Sequence, residues 1–284
     1  MIAEEKWVNT FDDLKLNCKV HENGSAVWII VTHGLGEHGD RHSHLHELFS
    51  QYFNICTYDL RGHGKSEGKK GYAKHFYEFS EDLYSVINFL KDEYQMKRYI
   101  LIGHSMGGLV TSTFMQKRVD KDFYPEKVIL SSPACAGPGA MGNFFRFAPR
   151  TFNRFMANIP LTMPISGVLD IKKLSHDPRV YEEYIKNPLN VLKIHTHLLF
   201  EILRESKEVF SKPLRITCDL YVGIGTEDYL VNAPFCIEYF KNVEKQANLF
   251  VVEGGYHELH NEIERYRLPF FDFLKKAIMD SIYT

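Results

Sequence analysis

Short apolar segments alternate with longer helical patterns along most of this 284-residue chain. The segments at 26–34, 98–105 and 126–133 are rich in Val, Ile and Leu, as strands buried on both faces are. Between them, the segments 79–94 and 107–118 carry apolar residues at helical spacing. Strands that alternate with helices of this length need crossover connections, so the pattern predicts an α/β fold with a mostly parallel central sheet flanked by helices.

This alternation stops between residues 136 and 212, where helical patterns rich in Phe, Met and Leu replace it and no buried strand is predicted. It resumes in the C-terminal part of the chain, with two apolar segments and one helical segment at 218–228, 248–255 and 263–279. We therefore predict a core made of residues 1–135 and 213–284. Residues 136–212 are predicted to form a helical cap inserted between two later strands.

The composition is that of an ordinary globular protein, with a formal net charge of −2. This charge gives no reason to expect nucleic acid as a partner. The five cysteines are scattered and lack CxxC spacing, which predicts free thiols in a reducing compartment. With no apolar signal region at the N terminus and no apolar segment of 18 residues, the expected location is the cytoplasm. Nothing in the sequence calls for a cofactor.

Ser105 lies in the sequence GHSMG (103–107), between a predicted strand and a predicted helix. Such strings also occur by chance in loops, but this context is the one in which a serine is held as a nucleophile on a sharp turn. Larger side chains in place of the flanking glycines would collide with the strand and the helix. A serine hydroxyl is a poor nucleophile at neutral pH, so an adjacent base and donors for the oxyanion are also required.

An acid and a histidine follow Ser105 in the chain order that this turn predicts, each after a later strand. Glu227 and Asp228 are both available as the acid, and spacing separates them weakly. His257 and His260 are both available as the base, and His257 is preferred because it lies closer to the end of its strand.

The oxyanion requires two backbone N–H groups. The amide of Met106, directly after the nucleophile, is one candidate. The other is the amide of Leu35, in the glycine-rich loop that follows the first buried strand. His33 is expected to orient that loop by hydrogen bonding.

Together, five segments resemble the monoacylglycerol lipase and lysophospholipase group of the α/β-hydrolases. They are HGLGEHGDR (33–41), YDLRGHGKSEG (58–68), GHSMGG (103–108), GTED (225–228) and YHELHNE (256–262). The resemblance covers nearly the whole chain and is weak in the cap. It implies a triad of Ser105, Asp228 and His257, and an oxyanion hole at Leu35 and Met106.

The resemblance also suggests that Glu37, Arg41 and His260 lie around the glycerol end of the substrate pocket. Such side chains at the mouth of a cleft suit a polyol. The alternative for Glu37 and Arg41 is a local ion pair that supports the loop.

These features predict a serine hydrolase that cleaves lipid esters, first of all monoacylglycerols, through an acyl-enzyme. Some apolar surface of the cap has no evident protein partner, and a lipid acyl chain is expected to occupy it. The alternatives are a lysophospholipase, a short-chain carboxylesterase, a serine peptidase, or a ligand-binding protein that has the fold without the activity.

Two further patterns carry weaker hypotheses. His42, His44 and His46 suggest a metal site, but without a completing ligand set the histidines are interpreted as the solvated start of a helix and no metal is predicted. Arg146, Arg150 and Arg154 recur beside the phenylalanines of the cap, which makes transient contact between the cap and a membrane surface possible.

Overall fold

A computed structural model of the chain describes residues 3–149, 151–152, 162–167 and 169–282. Its centre is an eight-stranded sheet in the order β1-β2-β4-β3-β5-β6-β9-β10. The sheet strands are β1 (Glu4–Asn9), β2 (Lys15–His21), β3 (Val27–Thr32), β4 (Asn54–Tyr58), β5 (Arg98–His104), β6 (Lys127–Ser131), β9 (Asp219–Gly225) and β10 (Asn248–Val252). The six consecutive strands β4-β3-β5-β6-β9-β10 run parallel to one another, which confirms the predicted mostly parallel sheet.

Helices lie on both faces of the sheet. Those of the core are α1 (Ser43–Phe49), α2 (Tyr77–Glu93), α3 (Met106–Lys117), α7 (Ala233–Asn242) and α8 (Glu264–Ile278). Between β6 and β9 the chain forms α4 (Gly139–Phe147), α5 (Pro178–Lys186) and α6 (Thr196–Val209). Short 3-10 helices span Gly39–His42, Ile171–Lys173, Leu259–Asn261 and Met279–Ile282. No helix among the described residues is long and apolar enough to cross a membrane.

Successive residues of a central strand supply two separate cores. Trp28 and Ile30 of β3 pack into one core with α2 and α3, whereas Ile29 and Val31 pack into the other with α1 and α8. This follows from the alternation of side chains along a strand, and it explains why strands buried on both faces read as continuous apolar runs.

The N-terminal strands β1 and β2 were not among the predicted strands. They form an antiparallel hairpin that pairs with β4 at the edge of the sheet. Most of β1 is exposed or only half-buried. An edge strand of this kind needs few apolar residues, so its sequence carries little of the pattern that identifies a buried strand.

The segment predicted as the cap also contains two short strands that the sequence did not indicate. β7 (Pro164–Ser166) and β8 (Lys193–His195) pair antiparallel in a sheet of their own. With three residues each, they are too short to show a period in the sequence. They lie on either side of α5, and β8 leads directly into α6.

Candidate active site

Ser105 forms the junction between β5 and α3. Its backbone has φ 53° and ψ −119°, in the region that residues other than glycine rarely adopt. Surrounding hydrogen bonds hold this conformation. The Ser105 N–H donates to the carbonyl of Ser131 at 2.9 Å, and the Ser105 carbonyl accepts from the amides of Gly108 and Ala134, each at 3.0 Å. The strained turn is thus fixed by its neighbours.

The glycines around Ser105 are required by close backbone contacts. A Cβ at Gly103 would lie 2.6 Å from the carbonyl oxygen of Gly107, and a Cβ at Gly107 would lie 2.1 Å from that of Thr32. Both distances are far below van der Waals contact. The structure therefore supports the steric reason for the glycines in the predicted turn.

His257 and Asp228 are joined by a buried hydrogen bond. The Nδ1 of His257 lies 2.6 Å from Oδ2 of Asp228. The other carboxylate oxygen accepts from the amides of Leu230 at 2.8 Å and Val231 at 3.1 Å. Glu227, the alternative acid, is exposed. Burial disfavours the protonated ring of His257, but the pKa of His257 is raised because the Asp228 carboxylate attracts that proton and accepts its hydrogen bond.

Ser105 and His257 face the same cavity, which has a volume of about 420 Å³. Within the described residues, Ser105 Oγ makes no hydrogen bond to His257. Contacts between nucleophile and base are often loose without substrate and tighten when it binds. The structure therefore brings the three predicted triad residues to one place, with only the acid–base pair already bonded.

Leu35 and Met106 also line this cavity. No hydrogen bond involves either amide within the part of the chain that the structure describes. His33 stands at the start of the loop that carries Leu35 and ties this loop to the core. Its Nε2 accepts from the Leu60 amide at 2.9 Å, and its Nδ1 lies 2.8 Å from the Gly34 carbonyl. Burial lowers the pKa of His33 to about 3, so this ring is neutral.

Beyond Ser105 the cavity is bounded mostly by apolar side chains from the segment between β6 and β9. The chief ones are Phe145, Ile165, Leu199, Phe200, Ile202 and Leu203. Apolar walls of this kind suit a hydrocarbon chain.

Another part of the cavity lining is polar, and we call the part formed by Glu37 and Glu258 the polar end. The Glu37 carboxylate accepts from the Gly34 amide, from Arg41 Nε at 3.2 Å and from His42 Nε2 at 3.1 Å. Burial opposes ionisation of Glu37, but its contact with His42, which includes a hydrogen bond, and the charge of Arg41 hold its pKa well below the usual range. The predicted local ion pair is therefore present, and Glu37 also faces the cavity.

Glu258 is a cavity residue that sequence reasoning missed. Its Oε2 accepts from Arg41 Nη2 at 2.5 Å and from Asn261 Nδ2 at 2.7 Å. Arg41 thus bridges Glu37 and Glu258, while its guanidinium lies 4.9 Å from the ring centroid of Tyr184. The position of Glu258 next to His257 was the available signal, but its partner Arg41 is 217 residues away in the chain.

His260 is not at the mouth of the cavity, contrary to its predicted position. It is 3% exposed and lies among the rings of His42, His44 and His104. Its predicted contact with the alcohol part of the substrate has no support in this geometry. His42 and His44 are also buried, so the solvated helix start predicted for them is wrong. One ring nitrogen each of His42, His44 and His260 lies within 4.8 Å of the other two.

The family model of the serine aminopeptidase S33 group matches residues 25–264. The human monoglyceride lipase is 26% identical over 241 residues, covering 83% of this chain and 76% of the relative. The phospholipase YtpA of Bacillus subtilis is 26% identical over 241 residues, covering 84% and 90%. The crystal structure of the monoacylglycerol lipase of Paleococcus ferrophilus is 26% identical, with a TM-score of 0.75 and coverage of 99% and 98%.

The family match covers the sheet, the turn at Ser105 and the Asp228–His257 pair. It agrees with the resemblance predicted from the five sequence segments, and the similar crystal structure agrees with the α/β-hydrolase fold. The chain therefore belongs to the serine aminopeptidase S33 family and is a serine hydrolase of the α/β-hydrolase superfamily.

Proposed function

We propose that this protein hydrolyses the ester bond of monoacylglycerols, releasing glycerol and a fatty acid. The observation that carries the proposal is a single cavity whose lining combines Ser105 and His257 with apolar side chains and with the carboxylates of Glu37 and Glu258. Relatives named as monoglyceride lipase and monoacylglycerol lipase, from human and from Paleococcus ferrophilus, support it.

In the proposed reaction, Ser105 Oγ attacks the ester carbonyl carbon while His257 Nε2 takes the hydroxyl proton. Asp228 holds His257 through Nδ1 and stabilises the protonated ring. The amides of Leu35 and Met106 donate to the oxyanion. The tetrahedral intermediate then expels glycerol, which takes the proton from His257, and leaves an ester between the fatty acid and Ser105. Water attacks this ester by the same steps and regenerates the hydroxyl.

The charges at the polar end distinguish among head groups. Two carboxylates, Glu37 and Glu258, face the cavity, and Arg41 supplies one positive charge between them. His104, which also lines the cavity, has a pKa well below its usual value because it is buried, so it adds no charge at neutral pH. An anionic phosphate would meet net negative charge, whereas the hydroxyls of glycerol can donate to the carboxylates. This balance favours a monoacylglycerol over a lysophospholipid.

Arg41 has both of its carboxylate partners in place, so we assign it to holding the polar end together. Its pKa is raised because Glu258 and Glu37 attract the guanidinium, although burial acts in the opposite direction. Glu37 and Glu258 are the proposed acceptors for the glycerol hydroxyls.

Hydrolysis rates across a substrate panel test this proposal. We expect kcat/KM to be highest for a monoacylglycerol with a medium or long acyl chain. It should be lower for a lysophospholipid with the same acyl chain, and lower for the acetyl ester of glycerol. Preference for the lysophospholipid would contradict the assignment of the head group, and preference for acetate would indicate a short-chain esterase. Cleavage of aminoacyl amides in place of esters would indicate a peptidase.

The second part of the proposal is peripheral contact with a membrane surface in the cytoplasm. Helix α4 exposes Phe144 at 57% and Phe147 at 77% on one face, with Arg146 between them in the chain. Arg146 is half-buried, with its guanidinium 3.6 Å from the ring centroid of Phe235. Exposed aromatic side chains beside a basic one suit an interface with anionic lipids. The predicted contacts of Arg150 and Arg154 lie outside the described residues. The five cysteines are free, in keeping with a reducing compartment.

Co-sedimentation with anionic lipid vesicles tests this contact. The wild type is expected to bind, and Phe147→Asp is expected to bind less. Equal recovery of both proteins with the vesicles would contradict a role for α4.

A further inference from the structure

Three histidines from two distant segments of the chain form a buried group beside the polar end of the cavity. We call His42, His44 and His260 the histidine cluster. The rings of His44 and His260 stack with centroids 4.6 Å apart, and those of His42 and His260 are 4.9 Å apart. One ring nitrogen of each lies within 4.8 Å of the other two.

Two nitrogens in this cluster have no protein partner among the described residues. They are Nδ1 of His44 and Nε2 of His260, and both are buried. Buried polar atoms in native proteins almost always have a hydrogen-bond partner, so two such atoms side by side call for an explanation. A bound cation would accept the lone pairs of both.

Glu37 prepares the third histidine for the same role. His42 Nε2 lies 3.1 Å from Oε1 of Glu37. A carboxylate oxygen accepts hydrogen bonds, so Nε2 is the donor in this contact, and in the neutral imidazole Nδ1 carries the lone pair. Histidines that bind metals commonly donate their other ring N–H to a carboxylate in this way.

We propose that the histidine cluster binds one divalent transition-metal ion, Zn²⁺ being the best match to three imidazole ligands. Zn–N bonds of about 2.0–2.1 Å in tetrahedral geometry place ligand nitrogens roughly 3.3 Å apart. The nitrogens of the cluster lie within 4.8 Å of one another, so they need to approach by up to about 1.5 Å. Because the rings of His44 and His260 stack at an interplanar angle of 22°, one of them must also turn so that both lone pairs point at the ion.

The ion would connect two segments that both carry parts of the active site. His42 and His44 lie at the start of α1, just after the loop that holds Leu35 and Glu37. His260 lies in the 3-10 helix that follows His257. Binding would stabilise the folded chain, because the unfolded chain does not hold these ligands together.

A second group of possible ligands, Glu37, His104 and Glu258, is less suited to this role. These side chains also lie within 4.8 Å of one another. However, Arg41 already binds both carboxylates, and the His104 Nδ1 lies 3.2 Å from the Ser131 carbonyl. In the histidine cluster, by contrast, Nδ1 of His44 and Nε2 of His260 have no hydrogen-bond partner among the described residues and are available to a metal ion.

Metal binding to the tag-free, chelator-treated chain tests the proposal. Titration with ZnCl₂ is expected to show one ion per chain, and X-ray absorption of that complex is expected to show nitrogen ligands at about 2.0–2.1 Å. At a zinc concentration about one hundred times Kd, the thermal midpoint is expected to rise by about 5 °C or more. Absence of stoichiometric binding by the wild type would overturn the proposal, whatever the behaviour of any variant.

Variants locate the site. His44→Gln and His260→Gln are each expected to weaken zinc binding by at least about 100-fold, since each removes a ligand. His46→Gln is the matched control: it lies on the same helix, its ring packs on His21 away from the cluster, and zinc binding should be unchanged. If both cluster variants bound zinc as tightly as the wild type, the ion would lie elsewhere and the proposal would fail.

Discussion

The two ends of the cavity differ in how their side chains are held. At the polar end, Glu37 and Glu258 share Arg41, and each carboxylate is fixed by at least two hydrogen bonds. At the apolar end, the walls are Leu, Ile and Phe side chains from the segment between β6 and β9, which hold their places by packing alone. Charged groups with bonded partners resist rearrangement, whereas apolar side chains adjust to what they contact.

This difference predicts that the polar end recognises the alcohol group of the substrate, and that the apolar end determines how the rate depends on the length of the acyl chain. The polar end contacts the loop that carries the proposed oxyanion donor Leu35, through the hydrogen bond from the Gly34 amide to Glu37. Damage there should therefore alter both recognition and rate. Damage at the apolar end should alter the dependence on acyl length and leave the chemistry intact.

The largest effect is expected from loss of the nucleophile, because every substrate depends on it whichever end of the cavity binds it. Ser105→Ala should lower kcat by about 10⁴-fold or more on every ester, because nucleophile and base act as a unit. A fluorophosphonate probe should label the wild type and not the variant, while the thermal midpoint shows that the variant is folded. Absence of labelling in the wild type would favour a ligand-binding protein without the activity.

The next effect isolates the apolar end. Each buried CH₂ contributes about 0.8 kcal/mol, or roughly fourfold in kcat/KM, until the cavity is full. Leu199→Asp places a charge in the wall and should flatten the rise of kcat/KM with acyl length, while acetyl-ester hydrolysis survives. Leu192→Asp is the control, because Leu192 is 46% exposed and is not a cavity residue. Equal chain-length profiles for Leu199→Asp and the wild type would contradict the acyl site.

A smaller effect isolates the polar end. Glu258→Gln removes one carboxylate charge, so the ratio of kcat/KM for monoacylglycerol to that for lysophospholipid should fall about tenfold, the size of one charged hydrogen bond. Hydrolysis of a p-nitrophenyl ester should fall less. Glu227→Gln is the matched control, because Glu227 is exposed and lies outside the cavity wall. Equal losses on all three substrates would mean that Glu258 supports the fold and does not read the alcohol.

The last effect concerns the stability of the fold in acid and leaves the two ends of the cavity aside. Among the histidines whose pKa is lowered chiefly by burial, five have the largest shifts: His33, His44, His63, His104 and His260. Unfolded, each titrates near its ordinary value of about 6.5. Below that pH the unfolded chain binds more protons than the folded chain. The free energy of unfolding therefore falls as the pH is lowered, by up to about 1.4 kcal/mol per pH unit for each histidine.

For His63 this loss extends from about pH 6.5 down to its folded pKa of about 4. His257 acts in the opposite direction, because its pKa is raised, but it is one residue against five. Urea unfolding in the presence of a chelator, from pH 7 to pH 5, measures the change. A free energy of unfolding that stays constant over this range would contradict the burial of neutral histidines.

The sequence by itself determined the backbone frame of this protein. The apolar runs and helical spacing predicted the central strands and the helices between them, because buried strands and amphipathic helices impose periods that are read locally. The position of Ser105 between a strand and a helix also follows from a short segment. The edge strand β1 escaped because an exposed edge imposes little pattern.

Only the tertiary structure decided which side chains meet. Sequence spacing did not decide whether Glu227 or Asp228 is the acid of the triad. The fold brings Asp228 to His257 and leaves Glu227 exposed. It also turned His260 inward and placed Glu258 against Arg41. These contacts join segments that are far apart in the chain, so they depend on how the loops pack at the carboxyl ends of the strands. A local period does not carry that information.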